Sequence, residues 1–486
     1  MNTSEVFVIQ KNELKKICQE ALSNGGTWAD LYFENTSIWT LMLRDSEVGS
    51  GGYHKDYGCG IRVLSGEKTG YAYTESTDMV SLVNAARSAG AIASKSFLDP
   101  ISFNAGNTYA TNSKEETNKL DFAHKSQNCF YKMNEDLRDI NMGSLVKLLQ
   151  HLDKKIREAD SRVIKVMAVV SYSLSEIMMY NCLDELTTDI RPLCSLNISA
   201  VFSQNGTIQT KSASKSLRCG AEFYSEELVK ELCGTITSGI DALFEAARPK
   251  GGQMNVVMAA GASGILLHEA MGHAFEADFN RKGQSVFASK MGSQVCKKGI
   301  NIVDDATLPL YRGSLNYDDE GIPGQKTYMV TDGILTSFLH DRISANFYGV
   351  APTGNGRRES FRYYPIPRMR STYMENGTDG TLEDLIHEAG EGIFVDEFAN
   401  GEVKIGEGDF TFYVKSGFLI ENGRLTQPIK DVNIIGNGPQ ALSDIVEVAS
   451  DLKVDTGRWT CGKGQSVPVS CGIPSVLIKN LTVGGA

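Results

Sequence analysis

The first 225 residues alternate between two hydrophobic periods, one typical of helices and one typical of strands. Apolar residues recur every three or four positions in three segments, which predicts helices over 12–22, 79–94 and 142–159. Runs of β-branched and aromatic residues between them predict strands. These cover 29–35, 37–43, 163–180 and 195–204, the last joined to 206–214 by an Asn205-Gly206 turn, and a hairpin over 59–76 that turns at residues 65–68. A stretch rich in Asn, Ser and Thr over 98–125 predicts a long loop or insertion.

The pattern changes after a further predicted helix over 226–247. A strand predicted over 254–260 runs through a glycine turn into another helix, which carries two histidines. Beyond it the chain consists mostly of strands and turns, with short helices predicted over 381–389 and 439–450. We therefore predict an α+β fold. It comprises an N-terminal mixed α/β domain over residues 1–225 and a strand-rich C-terminal domain over residues 226–486.

Composition and charge narrow the possible partners. The chain has 486 residues, a net charge of −11 and a pI near 5.3, without a long basic tract, which argues against binding to nucleic acid or to an anionic membrane. No run of about 18 apolar residues predicts a membrane span. Its ten cysteines include no C-x-x-C pair, and the first residues do not form an export signal. These features predict reduced thiols and a cytoplasmic location.

The strongest chemical signal is the stretch "LLHEAMGHAFEADF", in which His268 and His273 are five residues apart. Zinc-protease helices of the His-Glu-x-x-His type place their histidines four residues apart, on one face. Five residues of a regular helix rotate the second imidazole by about 140°. A π-turn would restore a common face, and Gly272 lowers the steric barrier to such a distortion. The spacing therefore predicts a distorted helical turn that carries two zinc ligands.

Glu269 follows the first histidine directly, where a metallopeptidase places the carboxylate that takes a proton from the zinc-bound water. The alternative is that the histidines are ordinary polar helix residues and that His268 and Glu269 form a surface pair. The apolar neighbours Ile265, Leu266 and Met271 favour a buried helix, in which polar side chains need partners.

A catalytic zinc with three protein ligands needs one more side chain. The residues alone leave four candidates open: Cys461, Cys471, His340 and Glu276.

Arg357 and Arg358 lie in the Gly-rich segment "PTGNGRRES". They are candidates for binding a substrate carboxylate or for stabilising a tetrahedral intermediate. A solvated charge pair is the alternative.

Several long motifs, in this order, resemble the TldD/PmbA family, also called modulators of DNA gyrase, and specifically its TldD-like branch. They are "ADLYFE", "GIRVLSGEKTGYAYTE", "LLHEAMGHAFEADFNRKGQSVF", "APTGNGRRES", "PRMR", "CGKGQSVPVS" and "NLTVGG". They are spread over almost the whole chain, while residues 98–225 carry none of them.

The resemblance implies a zinc metallopeptidase that acts on unfolded or short peptides. It implies a second domain of twisted antiparallel strands around the zinc-motif helix, and a dimer with a PmbA/TldE-like subunit or with a second copy. It also implies that Cys461 is the third ligand, and Lys463 is positioned to favour its thiolate form.

Two further functions remain open from the sequence. One is a regulatory or binding protein of the gyrase-modulator type with a non-catalytic zinc. The acidic chain, the placement of Glu269 and the need for a fourth ligand in a closed zinc site disfavour it. The second is a zinc hydrolase that cleaves a non-peptide amide. A zinc-activated water attacks peptides and other amides by the same chemistry, so the substrate groove determines which of them is cleaved.

Overall fold

The computed structural model describes residues 6–94 and 129–484. The insertion predicted over 98–125 lies outside the described residues. The helices of the described part are α1 (Lys11–Leu22), α2 (Met79–Ser94), α3 (Met142–Ala159), α4 (Glu226–Thr237), α5 (Ile240–Glu245), α6 (Ile265–Leu267), α7 (Ala277–Arg281), α8 (Arg342–Tyr348), α9 (Leu382–Ala389) and α10 (Gly438–Ser443). None of these helices is long and apolar enough to cross a membrane.

The strands of the same residues are β1 (Trp28–Arg44), β2 (Glu47–Ser65), β3 (Lys68–Thr74), β4 (Val163–Asn181), β5 (Leu186–Gln204), β6 (Thr207–Leu217), β7 (Gly252–Met258), β8 (Ile302–Asp305), β9 (Lys326–Thr331), β10 (Ile334–Leu335), β11 (Gly356–Arg357), β12 (Ile366–Pro367), β13 (Ser371–Met374), β14 (Gly392–Val403), β15 (Asp409–Glu421), β16 (Arg424–Ile429), β17 (Val432–Asn437), β18 (Ile445–Val448), β19 (Lys453–Val454), β20 (Thr460–Gly462), β21 (Ser466–Pro468), β22 (Ser470–Ile473) and β23 (Val476–Gly484). The α+β fold class is confirmed.

The N-terminal half forms one antiparallel sheet of six long strands in the order β3-β2-β1-β4-β5-β6. The predicted hairpin turn between β2 and β3 is confirmed, because Ser65 pairs with Lys68. The turn at Asn205 and Gly206 is also confirmed, with φ angles of 51° and 81°. The two strands predicted before residue 44 are one continuous strand, β1, because Asn35 pairs with neighbours on both sides.

The two faces of this sheet differ. Ala29, Leu31 and Phe33 of β1 pack in a core with α1 and α2, and Leu41 and Leu43 of the same strand pack with α3 and α4. All five are odd-numbered, so both helix pairs cover the same face.

The even-numbered residues Asp30, Tyr32 and Glu34 are also buried, and they face the C-terminal half. The Tyr32 ring clusters with Phe361 there. The sheet is therefore apolar towards its helices and polar towards the rest of the molecule.

Helices α4 and α5 belong to the core of the N-terminal sheet. Leu228 and Leu232 of α4 and Ile240 of α5 are buried in the same cluster as α3. The domain boundary after residue 225 stays a prediction. Helices α4 and α5 come after this boundary in the sequence, but they pack against the sheet formed by strands before it.

The C-terminal half contains two main sheets. One has six strands in the order β10-β9-β8-β13-β22-β19, and the other closes on itself through β14, β7, β23, β17 and β15. Both are mostly antiparallel, with parallel pairs at β13–β22 and β7–β14.

Helix α6 contacts β13 and β22 of the open sheet, and the turn that follows it contacts β14 and β15 of the closed one. The histidine segment therefore lies between the two sheets. Gly264, at its start, approaches the backbone of β22 closely: a Cβ there would lie 2.5 Å from the Gly472 nitrogen.

Candidate metal centre

The segment with the two histidines departs from α-helical geometry where its spacing predicts. Residues His268–Gly272 form a π-turn, and the backbone N–H of His273 donates to the carbonyl oxygen of His268. This i→i+5 bond brings the two imidazoles together, with ring centroids 5.2 Å apart and ring planes at 80°. The prediction of a distorted turn is confirmed.

The structure gives a different reason for a glycine at position 272 from the one that the sequence suggested. Its φ of −58° is ordinary helical backbone, which any residue adopts. A Cβ at this position, however, would lie only 2.1 Å from the Met369 sulfur. The glycine therefore makes room for a packed neighbour, and it is not needed for the backbone conformation of the turn.

Cys461 is the side chain that joins the two histidines. It lies on β20, in a two-stranded hairpin with β21, and its Sγ is 3.2 Å from His273 Nε2. The ligand atoms of His268, His273 and Cys461 all lie within 4.8 Å of one another, and the three side chains are buried. Among the described residues, no further His, Cys, Asp or Glu joins this group. Cys471 and His340, which were also candidates for the third ligand, lie outside it.

Glu276 takes a supporting position and does not join the group. Its Oε2 lies 3.0 Å from His273 Nδ1, which fixes the imidazole with Nε2 towards Cys461. Lys463 Nζ lies 2.9 Å from the same oxygen. Although burial raises the pKa of the Glu276 carboxyl, Lys463 and His273 outweigh this and lower it to about 2. Lys463 therefore pairs with Glu276 and with Asp278, where the sequence suggested a role beside the thiol.

The electrostatics favour a thiolate at Cys461. Burial raises the pKa of this thiol, but the charges of His268 and His273 and their hydrogen bonds lower it to about 4. Burial lowers the pKa of His273, and Glu276 and Cys461 raise it to about 10. Thiolate is the form of cysteine that binds metals.

The donor set fits a zinc ion. Tetrahedral zinc has Zn–N distances of about 2.0–2.1 Å and Zn–S distances of about 2.3 Å, so its ligand atoms lie roughly 3.5 Å apart. The 3.2 Å between Cys461 Sγ and His273 Nε2 is close to that separation. In addition, His268 Nδ1 is buried without a hydrogen-bond partner among the described residues. Buried polar atoms without partners are rare in native proteins, and this one belongs to a candidate ligand residue.

Glu269 is half-buried beside the cluster. Among the residues that the structure describes, its carboxylate makes no hydrogen bond and no ion pair, whereas Glu276 has both. A carboxylate next to His268 and without a partner is available to accept a proton.

Arg357 and Arg358 are both buried, at 3% and 4% exposure, so the alternative of a solvated charge pair is wrong. Arg357 donates to the carbonyl oxygens of Met369 and Pro468. Arg358 lies over the ring of Tyr32 and donates to the carbonyl of Asp319. Their role in binding substrate stays a prediction.

Sequence models of one protein family match most of the chain. Sequence models of the PmbA/TldA metallopeptidase family match residues 29–93 as domain 1, 135–238 as the central domain and 251–485 as the C-terminal domain. The "Metalloprotease TldD homolog" of Haemophilus influenzae is 36% identical over 468 residues, which cover 94% of this chain and 93% of that protein. The chain belongs to the PmbA/TldD metallopeptidase family. The central-domain match falls largely within 98–225, where the sequence carries no recognisable motif.

Two further similarities are more distant. The "Zinc metalloprotease TldD homolog" of Saccharolobus solfataricus is 33% identical over 259 residues, 53% of this chain and 57% of that protein. A Thermotoga maritima protein described as a candidate modulator of a DNA gyrase has the same fold. It superposes with a TM-score of 0.76 at 20% identity, over 97% of this chain and all of that one.

Proposed function

We propose that this member of the PmbA/TldD family is a cytoplasmic zinc metallopeptidase that hydrolyses unfolded or short peptides. The observation that carries the proposal is the buried group of His268, His273 and Cys461, which has no fourth protein ligand among the described residues. A structural zinc site is normally closed by four protein ligands, whereas a catalytic one leaves a position open.

The three side chains would hold zinc through two imidazole nitrogens and one thiolate. Zinc in such a site polarises a carbonyl oxygen and lowers the pKa of a water molecule to about 7. Glu276 keeps His273 in the orientation that ligation needs, because it accepts from the ring nitrogen on the far side. Lys463 in turn holds Glu276 ionised.

Glu269 is the general base of the proposed mechanism. Its carboxylate accepts a proton from the attacking water and afterwards delivers it to the nitrogen of the leaving amine. The side chain is suited to this because it is half-buried next to His268 and has no other partner in the described part of the chain.

Substrate class, partner and location rest on the family resemblance and on bulk properties. Peptides are favoured over other amides because the relatives of this chain are named metalloproteases. We expect a dimer with a PmbA/TldE-like subunit or with a second copy. All ten cysteines are free, which supports a reducing compartment such as the cytoplasm.

The direct test is peptide hydrolysis by the purified chain, with and without a PmbA/TldE-like subunit, before and after zinc chelation. We expect cleavage of an unstructured peptide that stops on chelation and returns with added zinc. Cleavage that survives complete removal of metal would overturn the proposal, as would a zinc-loaded protein that cleaves no peptide in either form.

A further inference from the structure

A cavity of about 400 Å³ lies between the polar face of the N-terminal sheet and the C-terminal half of the molecule. This volume is in the range of small-ligand sites, about 300–1,000 Å³. Its wall includes Pro468, which pairs with Thr460 across the β20–β21 hairpin. Thr460 directly precedes Cys461. The cavity therefore borders the hairpin that supplies the thiolate of the candidate metal centre.

Two buried arginines of this cavity form no ion pair with any carboxylate of the described residues. Arg218 and Arg357 are each 3% exposed, and both line the cavity. Arg357 donates only to carbonyl oxygens, one of them that of Pro468 at 2.8 Å. Arg218 donates to the carbonyl oxygen of Arg312 at 3.1 Å and to that of Pro192 at 3.4 Å. Arg357 Nε and Arg218 Nη2 make no hydrogen bond within the described part of the chain.

The carboxylates that line the cavity already have hydrogen-bond or ion-pair partners. Their partners are Arg191 for Asp319 at 2.5 Å, Arg362 for Asp56 at 2.6 Å, the Ser466 N–H for Glu359, and the Thr36 hydroxyl and the Phe361 N–H for Glu34. Burial lowers the pKa of Arg357 to about 9 although Asp319 opposes this, so its guanidinium is still charged at neutral pH. A buried charge without a counter-ion is costly, and an anion that enters the cavity would offset that cost.

We infer that this cavity receives the C-terminal carboxylate of a peptide substrate, held by Arg218 and Arg357. The inference rests on the proposed peptidase function and names the part of the substrate that is recognised. Guanidinium groups bind carboxylates through charge-assisted and often bidentate hydrogen bonds. Because the cavity borders the Cys461 hairpin, a peptide anchored by its end would extend towards the candidate metal centre. Arg358, which the sequence offered together with Arg357, differs from these two arginines because it already has a carboxylate partner, Asp30, at 3.7 Å.

The test compares matched peptides on the zinc-loaded full chain. One short unstructured peptide carries a free C-terminal carboxylate, a second carries a C-terminal amide, and a third carries the amide and an internal Glu. We expect kcat/KM for the free acid to exceed that for the amide by about 10- to 100-fold, as for a hydrogen bond to a charged group. The internal Glu should restore none of this preference. Arg218→Gln and Arg357→Gln should each reduce the acid-to-amide ratio to near one.

Arg362→Gln is the matched control, because Arg362 also lines the cavity but pairs with Asp56 and Glu75. It should keep the preference. Equal cleavage of acid and amide by the wild type would overturn the inference. So would a preference that persists in both variants, or an internal Glu that substitutes for the chain end.

A second measurement does not depend on folding of the variants or on turnover. Calorimetry on the zinc-loaded wild type with an N-acetyl dipeptide and with its amide should show about tenfold tighter binding of the acid. If no peptide is hydrolysed, the proposed function fails, and this binding ratio still decides the inference: equal affinities would refute it.

Discussion

The Asp30–Arg62–Glu320 cluster at the domain interface and the candidate metal centre both bury polar groups, but only the cluster pairs its charged groups with one another. At the interface, Arg62 of the N-terminal sheet lies 2.7 Å from Asp30 and 2.7 Å from Glu320 of the C-terminal half, so opposite charges meet within the chain. At the metal centre, His268 Nδ1 and the Glu269 carboxylate have no partner among the described residues. The matched charges of this cluster hold the two halves together, whereas the unmatched polar groups of the metal centre indicate a site for something that the chain does not itself supply.

The largest effect expected is the loss of a metal ligand. Cys461→Ser replaces a thiolate by a hydroxyl that ionises far less readily, so the variant should lose most of its zinc and nearly all peptide cleavage. Cys471→Ser, a buried thiol on β22 outside the group, is the control and should retain both. Zinc content and cleavage rate measured side by side check this prediction. Normal zinc content in Cys461→Ser would mean that the third ligand is wrongly assigned.

The second prediction separates proton transfer from ligation. Glu269→Gln should reduce kcat by about 10² to 10⁴ while zinc stays bound, because a positioned base contributes that much to rate without holding the metal. Metal analysis and steady-state kinetics on the same sample give both quantities. Near-normal turnover would contradict the assignment of the base, and so would loss of zinc.

Much of the N-terminal fold could be predicted from local patterns. The turns at residues 65–68 and 205–206 are recognisable because tight hairpins need particular residues. The polar run at 35–37 resembles a break in β1, because the sequence does not show that Asn35 donates to Glu176 of the neighbouring strand β4 or that Thr36 shares the polar face of Glu34. The helix predicted over 439–450 ends at Ser443, and Ile445–Val448 is a strand paired with β23. Pairing with a distant strand overrides local preference there.

The candidate site also has features that follow from local sequence and features that depend on distant parts of the chain. The five-residue spacing of His268 and His273 predicts the π-turn, since helix geometry alone determines which residues share a face. Cys461 lies 188 residues from His273, and only the family resemblance selects it from four candidates. The supporting role of Glu276 could not be foreseen, because it depends on where Lys463 folds back.

The third prediction concerns the matched charges of the interface. Arg62→Met leaves Glu320 buried without its counter-ion and Asp30 with only the more distant Arg358, which should lower the free energy of unfolding by about 3–5 kcal/mol. Arg87→Met is the control, because its ion pair with Glu20 lies at the surface and should contribute little to stability. Denaturant unfolding of the two variants tests the difference. Equal stabilities would show that the interface charges do not hold the halves together.

The smallest effect expected is a dependence of stability on pH at the cavity. Burial raises the pKa of Glu34 to about 7 even though Thr36 and Phe361 donate to it. The folded state therefore holds this proton longer than the unfolded state, and stability should fall as pH rises from about 4.5 to 7, by roughly 1–3 kcal/mol. Glu34→Gln should remove this component and stabilise the protein at pH 8. An unchanged pH profile in the variant would show that Glu34 titrates normally.

The coordination of zinc in the purified full chain tests the central claim most directly. X-ray absorption at the zinc edge should show one zinc per chain with one sulfur at about 2.3 Å, two imidazole nitrogens at about 2.0–2.1 Å and a remaining position filled by a light atom from solvent. The sulfur signal should disappear, together with most of the zinc, in Cys461→Ser. A shell without sulfur, or one closed by four protein ligands, would contradict the assignment of His268, His273 and Cys461 as an open catalytic site.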